Sequence, residues 1–234
     1  MAYTPEILTS AIVAIGDFNP AIFSVDWLES NQLVGKDDAD AAREGTPAKP
    51  YLVSHQVTTF ETKWFALQVL ENQFSLTSKD ALSPAIKDLA VGIFQLLSHT
   101  PVAAVGLNFM AHFKISSEDE YHKLGDKLAP KDLWNKLYPE GSAGLAELSI
   151  RIQSTPRGEL LKTKDEKRIS LQPSNKFKLG VLLSYNDHHD VTVADEQDIR
   201  PAELVVSIIE KQWDAAWEDS SRVFDGLLSM ALNK

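Results

Sequence analysis

The sequence predicts an α+β fold: a mostly antiparallel sheet with helices mainly on one face. Three observations predict it. Ala103, Val105, Leu107, Phe109, Ala111, Phe113 and Ile115 alternate with Asn108, Met110, His112 and Lys114, which is the period of two of a half-buried strand. Two stretches, around 84–97 and 200–232, instead carry apolar residues at helical spacing. The order strand, helix, strands, helix then occurs twice along the chain, which fits antiparallel pairing with helices gathered on one face.

Each element has its own warrant. Ile7 to Phe18 is a β-branched, apolar run that reads as a buried strand. Asn19-Pro20 then starts a helix that ends near Asn31: Asn accepts a backbone N–H, and Pro fits the first helical position. The 35–50 stretch, with Asp37, Asp38, Asp40, Gly45, Pro47 and Pro50, reads as a mobile, solvated loop with at most a helical turn at Ala39 to Arg43. Tyr51 to Thr59 alternates as one strand, with His55 on its apolar face. Trp64 to Leu70 and Phe74 to Thr77 follow, broken at Glu71 to Gln73 by a bulge or turn.

Ser83-Pro84 opens a helix with the stripe Ile86, Leu89, Ala90, Ile93, Phe94 and Leu97, and Thr100-Pro101 closes it, because the residue before proline avoids the α region. The strongest strand comes next. Ser117-x-x-Glu120 is a capping box for a polar helix over Glu118 to Leu128. Pro130 ends it, and Lys131 to Leu137 forms a shorter helix. Leu145 to Gln153 alternates, Glu159 to Leu171 reads as a hairpin tipped by Lys164 to Lys167, Phe177 to Tyr185 is a strand, and Asn186 to Asp190 is a polar turn. Ile209, Trp213, Ala216, Ser220, Val223 and Leu227 then mark a long helix from Arg200 to Leu232.

The chain, residues 1–234, reads as one compact domain with pseudo-repeat halves, 7–100 and 102–234. A tandem β-α-β-β-α duplication accounts for the order, and an offset of 90 lays Ala14-Ile15-Gly16 over Ala104-Val105-Gly106. Chance recurrence of a common motif is the alternative.

Composition excludes more than it assigns. There are 23 Lys and Arg against 33 Asp and Glu, and a net charge of −10 argues against nucleic acid, whose binding needs clustered cations. No cysteine is present, so thiol nucleophiles, Fe–S clusters and cysteine zinc sites are excluded. No run approaches the roughly 20 apolar residues of a membrane span. With no basic, apolar leader either, the expectation is a soluble, cytoplasmic protein. Phosphate loops, dinucleotide glycine motifs, nucleophile elbows and paired zinc-site histidines are all missing from the sequence, and no cofactor or metal is expected.

Residual chemistry rests on scattered groups. His188 and His189 are adjacent, so on a strand they would face opposite ways, and the polar-turn reading leaves them solvated. Asp37, Asp38 and Asp40 fail the calcium-loop pattern, since Arg43 and Lys49 stand where Gly and Glu are needed. His99 suits the cationic end of a helix and His122 a solvated helix. The basic tip Lys162 to Arg168 is offset by Glu159, Asp165 and Glu166.

Two function classes remain. The first is a non-enzymatic interaction or assembly protein, a homo-oligomer or a complex subunit, with Trp213, Trp217, Phe224 and Leu228 of the last helix as interface. The second is a ligand-binding module or enzyme with a pocket between sheet and helices, lined by Asn108, His112 and Lys114.

Overall fold

The computed structural model describes residues 3–79, 84–153, 165–191 and 200–232. Among the described residues nine strands form one sheet: β1 Ile7–Gly16, β2 Leu52–Val53, β3 Val57–Glu61, β4 Phe65–Leu70, β5 Gln73–Ser78, β6 Val102–Lys114, β7 Leu148–Gln153, β8 Glu166–Pro173 and β9 Gly180–Asp190. The helices are α1 Val25–Ser30, α2 Lys36–Glu44, α3 Pro84–Leu96, α4 Glu118–Leu128, α5 Asp132–Leu137 and α6 Pro201–Leu232.

The strand order is β2-β3-β4-β5-β1-β6-β9-β8-β7, and every pair is antiparallel. The fold is therefore α+β on a mostly antiparallel sheet, as the alternation predicts. The two halves of the chain build the two halves of the sheet and meet at β1 and β6. Ile12 lies opposite Leu107 and Ala14 opposite Val105, all fully buried. The helices α3 and α6 pack on each other above this joint.

The element order in each half is one strand, helices, a run of strands and a long helix; among the described residues the first half places five strands on its side of the joint and the second half four, in mirrored order apart from the extra edge strand β2. The offset of 90 does not survive the register. Ala14 faces the helices, whereas Ala104, beside core-facing Val105, lies on the opposite face. Between these two strands an even offset swaps the faces, so those small residues match by chance.

Several elements differ from the sequence reading. Asn19-Pro20 starts only a 3₁₀ turn, Pro20–Ile22, and α1 has its own cap, the Ser24 hydroxyl accepting from Trp27 N–H at 3.2 Å. The 35–50 loop contains a true helix, α2. Ala39 and Ala42 bury its inner face, and the Trp64 indole donates to Asp38 at 2.9 Å. Arg43 near its end binds Asp26, Glu29 and Asp40. Two alanines make too faint an apolar stripe to read from sequence.

The strand expected over 51–59 breaks at Ser54, whose hydroxyl accepts from Val57 N–H at 3.0 Å. The turn shifts the phase: Thr58 and Phe60 point inward, and His55 is exposed in the turn and not in the core. Glu71-Asn72 is a tight turn between β4 and β5. Asn186 to Asp190 is no turn but the end of β9, paired with β6 as far as Asp190 opposite Ala104. The expected tip at Lys164 to Lys167 is not a turn where described, because Glu166 and Lys167 belong to β8; Lys162 and Lys164 lie outside the described residues.

The joint tolerates no added bulk where the chain leaves it. A Cβ at Gly16 would lie 2.2 Å from the Pro101 carbonyl oxygen, a backbone atom that cannot swing away. A Cβ added at Gly144 would meet nothing within 4 Å. We expect Gly16→Ala to lower unfolding free energy by about 1–3 kcal/mol and Gly144→Ala to stay within about 0.5 kcal/mol, read from urea midpoints.

Candidate functional site

Because the sheet alternates strictly, each strand of the second half offers one face to the helices and one away from them. Asn108, His112 and Lys114 share the face of β6 turned away from α6. They are not gathered in one pocket. Asn108 accepts from the Asn186 amide at 2.6 Å and lines a shallow hollow of about 120 Å³ with Val13, Ile15, Gly106 and His188. His112 lies at the other end, its Nδ1 at 2.8 Å from the Ser174 hydroxyl and its ring edge-on to Phe177. Burial first, then the nearby Lys176 charge, depress its pKa. Lys114 stacks over Phe177 at 4.8 Å.

The four aromatic and aliphatic residues expected at an interface mostly belong to the chain's own core. Trp213, Phe224 and Leu228 are buried, Trp213 and Phe224 edge-on to Phe109 and Phe113 of β6. Trp217 is partly buried and packs on Phe109. The seam drifts from Val223 and Leu227, which become its flank, to Phe224 and Leu228.

The helix-facing side of β8 and β9 carries a polar cluster, of which the sequence reading places Asp187 and His189 in a turn. Lys167, Tyr185, Asp187 and His189 face α6 across a cleft of about 500 Å³, whose far wall includes Gln212, Asp219 and Arg222. Asp219 is its hub. Its carboxylate accepts from Lys167 Nζ at 2.6 Å and from the Tyr185 hydroxyl at 2.7 Å, and it also binds Arg222. Burial alone would raise the Asp219 pKa, but hydrogen bonds from Lys167, Tyr185 and Arg222 outweigh it and hold it at about 2. Burial and the neighbouring carboxylates push Tyr185 well above the usual phenol range, so it remains a donor.

Asp187 is buried, and its Oδ2 lies 3.3 Å from His189 Nε2, an ion-pair distance without good hydrogen-bond alignment. Asp165 stands 3.7 Å from the other ring nitrogen. Burial opposes a charge on His189, but Asp187 and then Asp165 outweigh it and raise its pKa. Among the described residues no three of His, Asp and Glu form a metal-holding group. The signal available in sequence was the even spacing Tyr185, Asp187, His189, which continues the strand's inward face; polarity disguised it.

A different surface lies beside this cleft. Ile150 and Ile152 of β7 face the helix side yet are 47% and 49% exposed. They line an apolar groove of about 320 Å³ with Leu128, Val223, Leu227 and Met230, the last 69% exposed. A second hollow of about 550 Å³ is lined by Trp134 of α5, by Tyr138 just after it and by Glu147, the residue before β7. The remaining histidines are peripheral: His99 in the turn after α3, His122 exposed on α4 and 3.8 Å from Glu118.

The chain matches no protein-family model and no curated protein. No helix among the described residues is long and apolar enough to cross a membrane.

The two titrating groups give opposite pH slopes. The folded pKa of His189 is raised, so its contribution is full below about pH 6.5 and is lost as pH rises through the raised value. That of Asp219 is lowered, so its contribution is full above about pH 4 and is lost as pH falls toward about 2. Asp187→Asn should flatten the decline on the alkaline side, and Asp219→Ala should cost about 1–3 kcal/mol near neutrality and flatten the acid side. Urea midpoints measured across that pH range check both.

Proposed function

We propose that this chain is a non-enzymatic interaction or assembly protein that self-associates or serves as a subunit of a larger complex. The observation that supports this reading is the uncovered apolar ground at one end of the sheet. Ile150, Ile152 and Met230 are exposed around one apolar groove there, Leu133, Trp134, Leu137 and Tyr138 are exposed on and just after α5, and β7 is an edge strand among the described residues. Scattered apolar residues are ordinary on a surface, but an apolar groove along an open edge invites association. The contact ground is thus the flank and end of α6 with β7 and α5, and not the buried seam at Trp213, Phe224 and Leu228.

A second reading, a small-molecule-binding module or enzyme, draws support from the cleft between sheet and α6 and its buried Asp187–His189 pair. It is the weaker one, because Lys167 and Arg222 are already bound to Asp219 and the cluster balances its own charges.

Light scattering across a concentration series tests the first reading. We expect mass to rise with concentration. Ile152→Lys combined with Met230→Lys should shift the equilibrium toward monomer by about tenfold or more while changing unfolding free energy by less than about 1 kcal/mol, since both side chains are about half exposed or more. A mass fixed at the monomer at every concentration, with no stable complex formed, overturns it.

A further inference from the structure

We propose that the partner is a second copy of this chain, joined by antiparallel pairing of β7 with the partner's β7 in the register centred on Ser149. The inference rests on the self-association reading above and deepens it.

The edge itself supplies the argument. Among the described residues β7 pairs with β8 on one side only, from Leu148 opposite Leu171 to Gln153 opposite Glu166. No described strand pairs with the backbone donors and acceptors on its other side. A symmetric antiparallel partner must keep inward residues opposite inward residues, because a one-residue slip swaps the two faces. Three central registers then compete. Centring on Arg151 sets Arg151 against the same residue of the second copy, which like-charge repulsion disfavours. Centring on Ile150 sets Arg151 against the partner's Ser149, which gains no charge pair.

Centring on Ser149 sets Glu147 against the partner's Arg151, and Arg151 against the partner's Glu147. Glu147, the residue just before β7, and Arg151 within it are the two halves of one complement. In the same register Leu148 meets the partner's Ile150, twice, on the apolar face, while the exposed Ser149 meets its own copy on the axis. Arg151 is 60% exposed at its side chain and, among the described residues, pairs with Glu166 at 2.9 Å, which leaves it able to reach a second carboxylate. Glu147 is exposed as well. The axis stands perpendicular to the sheet, so the helices of both copies lie on one face. The apolar grooves beside β7 are brought next to each other across the axis. The chain's own halves are joined by the same device, an antiparallel pair between β1 and β6.

The test uses two features of the sequence, the absence of cysteine and the opposite charges of Glu147 and Arg151. Ser149→Cys should yield a disulfide-linked dimer under mild oxidation, because residues directly opposite across strands lie within bridging reach, while Ile150→Cys should not. Glu147→Arg and Arg151→Glu should each weaken self-association about tenfold or more, since each places like charges opposite one another twice. An equimolar mixture of the two variants should recover it, as each Arg then faces a Glu. Sedimentation velocity reads the mass and gel mobility the cross-link. A dimer that ignores the charge swap and forms no cross-link in the Ser149→Cys variant overturns the β7 pairing and leaves self-association standing. A cross-link in the Ile150→Cys variant in place of the Ser149→Cys variant overturns the register. A protein monomeric throughout overturns both readings.

Discussion

The antiparallel joint between β1 and β6 is the constraint on which everything else depends. Each of these strands is flanked on one side by its own half of the chain and on the other by the opposite half. Ser10 against Phe109, Ile12 against Leu107 and Ala14 against Val105 fill the inner face. Small side chains on one strand against larger ones on the other leave room for α3 and α6 to approach each other directly above. Beyond Ala11, Ser10 N–H donates to the Ser78 hydroxyl at 2.9 Å and fixes β5 beside the joint. Without the joint the two half-sheets share no strand pairing, and the two long helices lose the surface that brings them together.

Cover is then distributed unequally. Nine strands span about 38 Å, and one helix is about 10 Å wide, so α3 and α6 cannot cover the whole inner face. The first half solves this with α1, α2 and the 3₁₀ turn. Ala39 and Ala42 pack inward, and the Thr58 hydroxyl donates to Pro20 O at 2.7 Å. In the second half α4 packs against α6, and β7 keeps two isoleucines half in water. The exposed edge is what remains when a wide sheet is covered from its centre.

Legibility followed the strength of the apolar signal. The β6 alternation, the α3 stripe and the α4 capping box were readable because burial on one face imposes a period that polar residues do not interrupt. Ser117 does cap α4, accepting from Glu120 N–H at 3.2 Å. The misread segments are those where a buried face is polar or tiny. Asp187 and His189 make the inner face of β9 look like a loop, and Ala39 and Ala42 barely mark α2. The cleft was therefore invisible in sequence, since its members come from β8, β9 and α6 and only the register assembles them. Asn108, His112 and Lys114 were correctly placed on one face, but the strand from Asn108 to Lys114 extends about 20 Å, too far for one small pocket.

The polar cluster and the apolar edge, neighbours on one side of α6, divide the work of that helix. Asp219 fastens its middle to β8 and β9 through Lys167 and Tyr185, and the buried aromatics fasten it to β6. With the helix held at those points, its outer flank at Val223, Leu227 and Met230 lines the groove together with Ile150 and Ile152 of β7. A groove held open by an ion cluster responds to the cluster's charge: if Asp219 is lost, α6 is free to settle onto Ile150 and Ile152 and close it. Association through β7 should thus depend on Asp219, which lines one cleft together with Ile152 of the edge strand.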